Sequence, residues 1–147
     1  MDIKSLLKCL SDYNVRYVLF GATAMPIHGY TRATLDVDVF IDASDGNVQK
    51  TLAALTAFGY DMSDISLKDM QKTKILIRQY QLAVDIHPFV EGVIFDEVWK
   101  DRITGTYNYV PANFPSLDHT IQMKKAAGRP KDIEDLKFLE EIKRRKQ

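Results

Sequence analysis

The chain has 147 residues, zero formal net charge and 46% hydrophobic residues, which suits one compact domain with a real core and gives no global field to attract nucleic acid or an anionic membrane. A single cysteine, Cys9, excludes an internal disulfide framework and fits a reducing compartment. No signal-like apolar block opens the sequence and no apolar run is long enough to span a bilayer, so a cytoplasmic protein without a membrane partner is expected.

In chain order, residues 2–13 place Ile3, Leu6, Leu7 and Leu10 at helical spacing, and Cys9 within that run reads as a small core residue rather than a nucleophile. A short strand, "RYVLF", then ends at Gly21. Residues 22–29 read as helical, with Pro26 tolerable in a first turn. A strand over about 34–42 follows, and "ASDGNVQKTLAALTAFGY" runs from cap-type residues into a helix that Gly59 ends. "KILIRQY" and "QLAVDIHPF" alternate as two strands joined by a tight turn near Tyr80 and Gln81. A short helix around 94–101 and a strand at "TYNYV" come next. "PSLDHTIQMKKAAG" and "RPKDIEDLKFLEEIKRRK" close the chain as two helices. The order predicts an α/β (α+β) fold with a mixed sheet, flanking helices and a C-terminal helix pair. One domain is expected over 1–147, with its core at about 15–110 and the closing helices at about 116–145.

The segment "TRATLDVDVFID" raises the chemical question. Leu35, Val37, Val39 and Ile41 alternate on one strand face, which leaves Arg32, Thr34, Asp36 and Asp38 on the other. Two carboxylates on one face sit roughly 7 Å apart and repel each other. In the strand at 82–87, Leu82, Val84 and Ile86 share one face, and Ala83, Asp85 and His87 the other. Acids at strand ends are ordinarily solvated or paired with Lys or Arg. Here three of them lie in apolar strands, and burial without a cation or strong hydrogen bonds is costly. Clustered hard oxygen ligands suit Mg²⁺ or Mn²⁺, and two such ions clamp the attacking and leaving oxygens of a phosphoryl displacement. Upstream, "LFGATAM" is a strand, a glycine turn and a helix start, which presents backbone N–H groups to an anion.

With these parts together, the sequence resembles the nucleotidyltransferase superfamily of the DNA polymerase β type. That family has a strand, Gly-Gly or Gly-Ser opening a helix, Asp-x-Asp on the next strand and a third acid on a later one. The run "GATAMPIHGYTRATLDVDVFID" and the ending "QMKKAAGRPKDIEDLKFL" are similar to its small bacterial branch, which includes abortive-infection toxin enzymes and lincosamide and aminoglycoside resistance enzymes. The resemblance covers roughly residues 17 to 139. It implies a nucleotidyltransferase fold that transfers NMP from an NTP to an acceptor hydroxyl and releases pyrophosphate. Asp36, Asp38 and Asp85 would be the catalytic acids and would hold two Mg²⁺ or Mn²⁺ ions. Gly21, Ala22 and Thr23 would cradle the triphosphate, and the resemblance gives Lys124 a role at the nucleotide, the alternative being a solvated helix lysine. Read from its position, Arg32 contacts a phosphate, neutralises the carboxylates or makes a structural salt bridge, and Thr34 supports the site by hydrogen bonding or is an ordinary strand threonine. Ala22 stands where the family has Gly or Ser; it supplies a backbone N–H but no hydroxyl, and Thr23 is the neighbour that carries one.

Two rivals use the same residues. One is a non-catalytic domain of this fold that binds a nucleotide or a partner protein, such as a toxin–antitoxin component. Retention of all three acids argues against it. The other is a two-metal nuclease, which needs the acids but no triphosphate turn. Smaller assignments follow. His87 could orient Asp85, although a histidine before Pro88 more often caps the strand. Arg129, Lys131, Asp132 and Asp135 read as helix-surface and inter-helix pairs, and the "KRRK" tail as a solvated helix end, the alternative being a contact to an RNA substrate. A chain this short leaves little for an enclosing acceptor pocket. An open cleft between sheet and closing helices is therefore expected, with RNA, protein or a small molecule as acceptor and either a homodimer or a macromolecular substrate completing it. Trp99 and "TYNYV" would edge that cleft, join a dimer contact or pack into the core.

Overall fold

The computed structural model describes residues 2–29, 36–107 and 109–147, without the side chains of Ala22, Thr23 and Met25. Helix α1 (Ile3–Asp12) starts where Asp2 accepts a hydrogen bond from the Ser5 N–H at 2.8 Å, and it buries Leu6, Leu7 and Leu10 along one stripe. Strand β1 (Tyr17–Phe20) runs into a 3-10 helix (Gly21–His28), and β2 (Asp36–Ile41) lies antiparallel to β1. Helix α2 (Asp45–Phe58) ends at Gly59, whose φ of 124° suits a residue without Cβ, and Gly59 N–H reaches back to the carbonyls of Leu55 and Thr56. Asn47 in its first turn accepts from Arg16 N–H and donates to the Arg16 and Asp42 carbonyls, tying α2 to the β1–β2 pair.

Helix α3 (Leu67–Lys72), strands β3 (Ile75–Ile77) and β4 (Ala83–His87), and helix α4 (Phe95–Lys100) follow. The four strands form one mixed sheet in the order β1-β2-β4-β3, with β2 and β4 parallel and β3 antiparallel to β4. Where one strand was expected at "TYNYV", the chain makes a hairpin: β5 (Ile103–Tyr107) and β6 (Val110–Phe114) pair antiparallel across a turn in which Tyr109 has φ 69°. Tyr109 is 95% exposed, whereas Tyr107 packs against the main core, so the segment's aromatics divide between solvent and core.

One sheet face, with Leu19, Val37, Val39, Ile41, Val84 and Ile86, meets α1, α2, Met70 of α3, and Ala112 and Phe114 of the hairpin. On the other face Val18 and Phe40 pack with Phe95 and Val98 of α4 and with Met123. Trp99 stacks on Phe95 with ring centroids 5.9 Å apart and carries the guanidinium groups of Arg102 and Arg16 at 3.7 and 5.0 Å. Helices α5 (Leu117–Ala127) and α6 (Pro130–Lys146) close the chain. Ser116 caps α5, left-handed Gly128 ends it, and Pro130 opens α6. Ile121 and Leu139 make the apolar seam between the two helices. No helix among the described residues is long and apolar enough to cross a membrane.

Candidate active site

Phe40 divides the second sheet face. Beyond it β2 carries Asp38 and then Asp36, and the parallel register sets Asp38 beside Asp85 and Phe40 beside His87. Alternation along β4 puts Asp85 and His87 on the same face. The ligand-type atoms of Asp38, Asp85 and His87 all lie within 4.8 Å of one another. His87 Nε2 is 2.8 Å from Asp38 Oδ1. A carboxylate only accepts, so that contact puts the ring hydrogen on Nε2, where it fixes the direction of the Asp38 carboxylate. Phe20, opposite Asp38 on β1, packs edge-on against the His87 ring at 4.7 Å.

Asp85 is the more enclosed acid, with 8% exposure. Its Oδ1 is 2.7 Å from Arg78 Nη1. The pair is an ion contact rather than an aligned hydrogen bond: the same Nη1 donates to the Ile77 carbonyl at 3.1 Å, and Asp85 Oδ1 receives no aligned donor among the described residues. A buried carboxylate oxygen with unused acceptor capacity, beside a second carboxylate, is a donor set that fits a hard divalent cation. Asp36 stands at the exposed end of β2, opposite Ala83 rather than another acid, which keeps it outside the tight cluster although it lines the same cleft.

The cleft measures about 570 Å³. Its floor is the acidic face, with Gly21 at one side. Its far wall is made by Thr120, Met123 and Lys124 of α5 together with Arg129, Lys131 and Asp132 at the start of α6, and Lys74 stands at another edge. The expectation of a cleft between sheet and closing helices is met. Gly21 has φ +70°, and a Cβ built on it would lie 2.8 Å from Asp38 Oδ2, so both the backbone and the carboxylate next to it favour glycine.

Among models of protein families, one described as a nucleotidyltransferase of unknown function (DUF6036) matches residues 1–144. The chain belongs to DUF6036. No curated protein matches this DUF6036 member significantly.

The remaining expected site residues of the DUF6036 chain can be placed in part. Arg32 and Thr34 lie outside the described residues, and the side chains of Ala22 and Thr23 are not described. Lys124 lines the cleft but is buried, and its ammonium lies 3.4 Å from Asp132 Oδ1 and 3.0 Å from Asp135 Oδ2. The inter-helix pairing expected for Asp132 and Asp135 is present. Their surface placement is not, since both are at most 1% exposed. Burial alone would raise the Asp132 carboxyl, but hydrogen bonds from the Arg129 side chain and backbone and the charges of Lys124 and Arg129 outweigh it and hold it below the usual range.

Three features escaped the sequence reading: the His87–Asp38 contact, Arg78 against Asp85, and Lys74 at the cleft. All depend on which strands become neighbours, and the linear pattern does not carry that information. A basic residue one position past an apolar strand, as in "KILIRQY", is the only trace Arg78 leaves.

Proposed function

We propose that the protein is a divalent-metal-dependent nucleotidyltransferase that moves the NMP unit of an NTP to an acceptor hydroxyl and releases pyrophosphate. The observation that carries this reading is the side-by-side placement of Asp38 and Asp85 on parallel strands, on the floor of a cleft with lysine and arginine along its wall. Asp36, Asp38 and Asp85 would hold Mg²⁺ or Mn²⁺, two ions when fully loaded. Bound there, the metal supplies neutralisation of phosphate charge and stabilisation of the attacking and leaving oxygens. His87 keeps the Asp38 carboxylate turned toward the cluster.

Asp85 accepts the proton of the acceptor hydroxyl as its oxygen attacks the α-phosphorus. The bond from that phosphorus to the α–β bridging oxygen breaks, and pyrophosphate leaves with the electron pair. Backbone N–H groups of Gly21 to Thr23 cradle the triphosphate, Arg32 and Thr34 support it from the segment leading into β2, and Lys124 borders the nucleotide from α5. The cleft has the size of a pocket for one small ligand. An NTP filling it leaves the acceptor to enter from the solvent side, which favours a macromolecular acceptor or one completed by a second subunit.

The test is incubation with each NTP labelled in the α- or the γ-phosphate, with Mg²⁺ and candidate RNA, protein and small-molecule acceptors. Transfer of the α-label alone, lost in Asp38→Asn, is expected. Transfer of the γ-label, or equal transfer by the variant, refutes the reading.

A further inference from the structure

Where a divalent ion would bind Asp85, the chain already supplies a cation. Arg78 Nη1 lies 2.7 Å from the Asp85 carboxylate. The contact is close but poorly aligned. Nη1 also donates to Ile77, and Asp85 Oδ1 is left without an aligned donor among the described residues. A pair with strong charge attraction and weak directional bonding holds an acid quiet without locking it. The Arg78 side chain is 46% exposed, so it has solvent to move into.

We propose that Arg78 is a positioning residue that competes with the divalent ion for Asp85, stabilising the acidic face in the metal-free protein and swinging into solvent when the ion binds. This rests on the metal reading given above. The metal-free chain thereby avoids the repulsion of adjacent carboxylates, at the cost of affinity for the ion. Arg78→Gln removes the competitor and keeps side-chain volume, whereas Arg78→Lys keeps the charge.

Mn²⁺ titration of the nucleotide-free protein, followed by calorimetry, reads the effect directly. Scaled to an exposed ion pair, Arg78→Gln should bind Mn²⁺ about two- to fivefold more tightly than wild type. Arg78→Lys should stay close to wild type, and the metal-free Arg78→Gln protein should melt lower. In the wild-type chain, phenylglyoxal labelling of Arg78, followed by peptide mass spectrometry, should accelerate when Mn²⁺ is added. That arm needs no variant to fold. Unchanged or weaker Mn²⁺ binding by Arg78→Gln, or a labelling rate indifferent to bound Mn²⁺, overturns the proposal while leaving the metal site standing. A wild-type protein that binds no Mn²⁺ overturns both.

Discussion

Replacing Gly21 by alanine imposes two separable costs. The first is conformational: at φ +70° a side chain costs about 1–2 kcal/mol. For a chain of this length that corresponds to a fall in Tm of about 2–8 °C. The second is local. The new methyl would sit 2.8 Å from Asp38 Oδ2, against 3.4 Å or more for an ordinary contact, so the carboxylate must retreat by several tenths of an ångström. Asp38 is already held by His87 at 2.8 Å through its other oxygen, and moving it lengthens that bond or turns the carboxylate away from Asp85. Displacements of this size at a reacting centre cost about tenfold or more in rate. Gly29 provides the control, because its φ is +84° but nothing lies within 4 Å of its Cβ position. Gly29→Ala should share the loss in Tm and spare Mn²⁺ affinity and transfer, while Gly21→Ala loses all three. Thermal melts by circular dichroism, Mn²⁺ titration and the label-transfer assay distinguish them. If the two variants transfer label at the same rate, the steric coupling of Gly21 to Asp38 is wrong.

Asp38→Asn keeps an oxygen to accept from His87 and relieves repulsion with Asp85, so it should shift Tm by no more than about 2 °C while abolishing transfer; a large fall in Tm would mark Asp38 as a structural ion-pair partner instead. Lys124→Met removes the cation shared by Asp132 and Asp135, while Arg129 still holds Asp132, and should destabilise the protein by roughly 1–3 kcal/mol, read by urea unfolding. His28 is buried against Thr120, and burial first, with Lys146 second, holds its pKa below 6.5. The unfolded chain then binds the proton more readily, so stability should fall as pH drops below 6.5, and Tm measured from pH 7.5 to 5 should decline less steeply in His28→Gln.

Local periodicity made most of the elements legible. The stripe Ile3, Leu6, Leu7, Leu10 gave α1, the alternation around Val37 and Val39 gave β2, and Gly59 stopped α2 where its left-handed conformation allows a last turn to close. Helix α3 was missed because six residues are too few to show a period, although Ser66 and Asp69 form a reciprocal capping box that was readable. The hairpin at 103–114 was missed because its turn has no glycine: Tyr109 adopts a left-handed φ that a tyrosine does not announce. Asp36, Asp38 and Asp85 could be singled out because acids in apolar strands are costly. The contacts that organise them could not, since they follow from β4 lying between β2 and β3, a choice made by burial on both sheet faces rather than by any one segment.

The chain contains a single tryptophan, so its fluorescence has one source. Trp99 is stacked on Phe95, Phe95 meets Phe40 edge-on at 5.1 Å, and Phe40 lies two residues after Asp38 on the same strand. Trp99 therefore ends a run of three touching rings that begins beside the acidic face, with two guanidinium groups against its indole. A shift of β2 on metal binding should change its emission in the unlabelled protein, with no probe attached anywhere near the cleft.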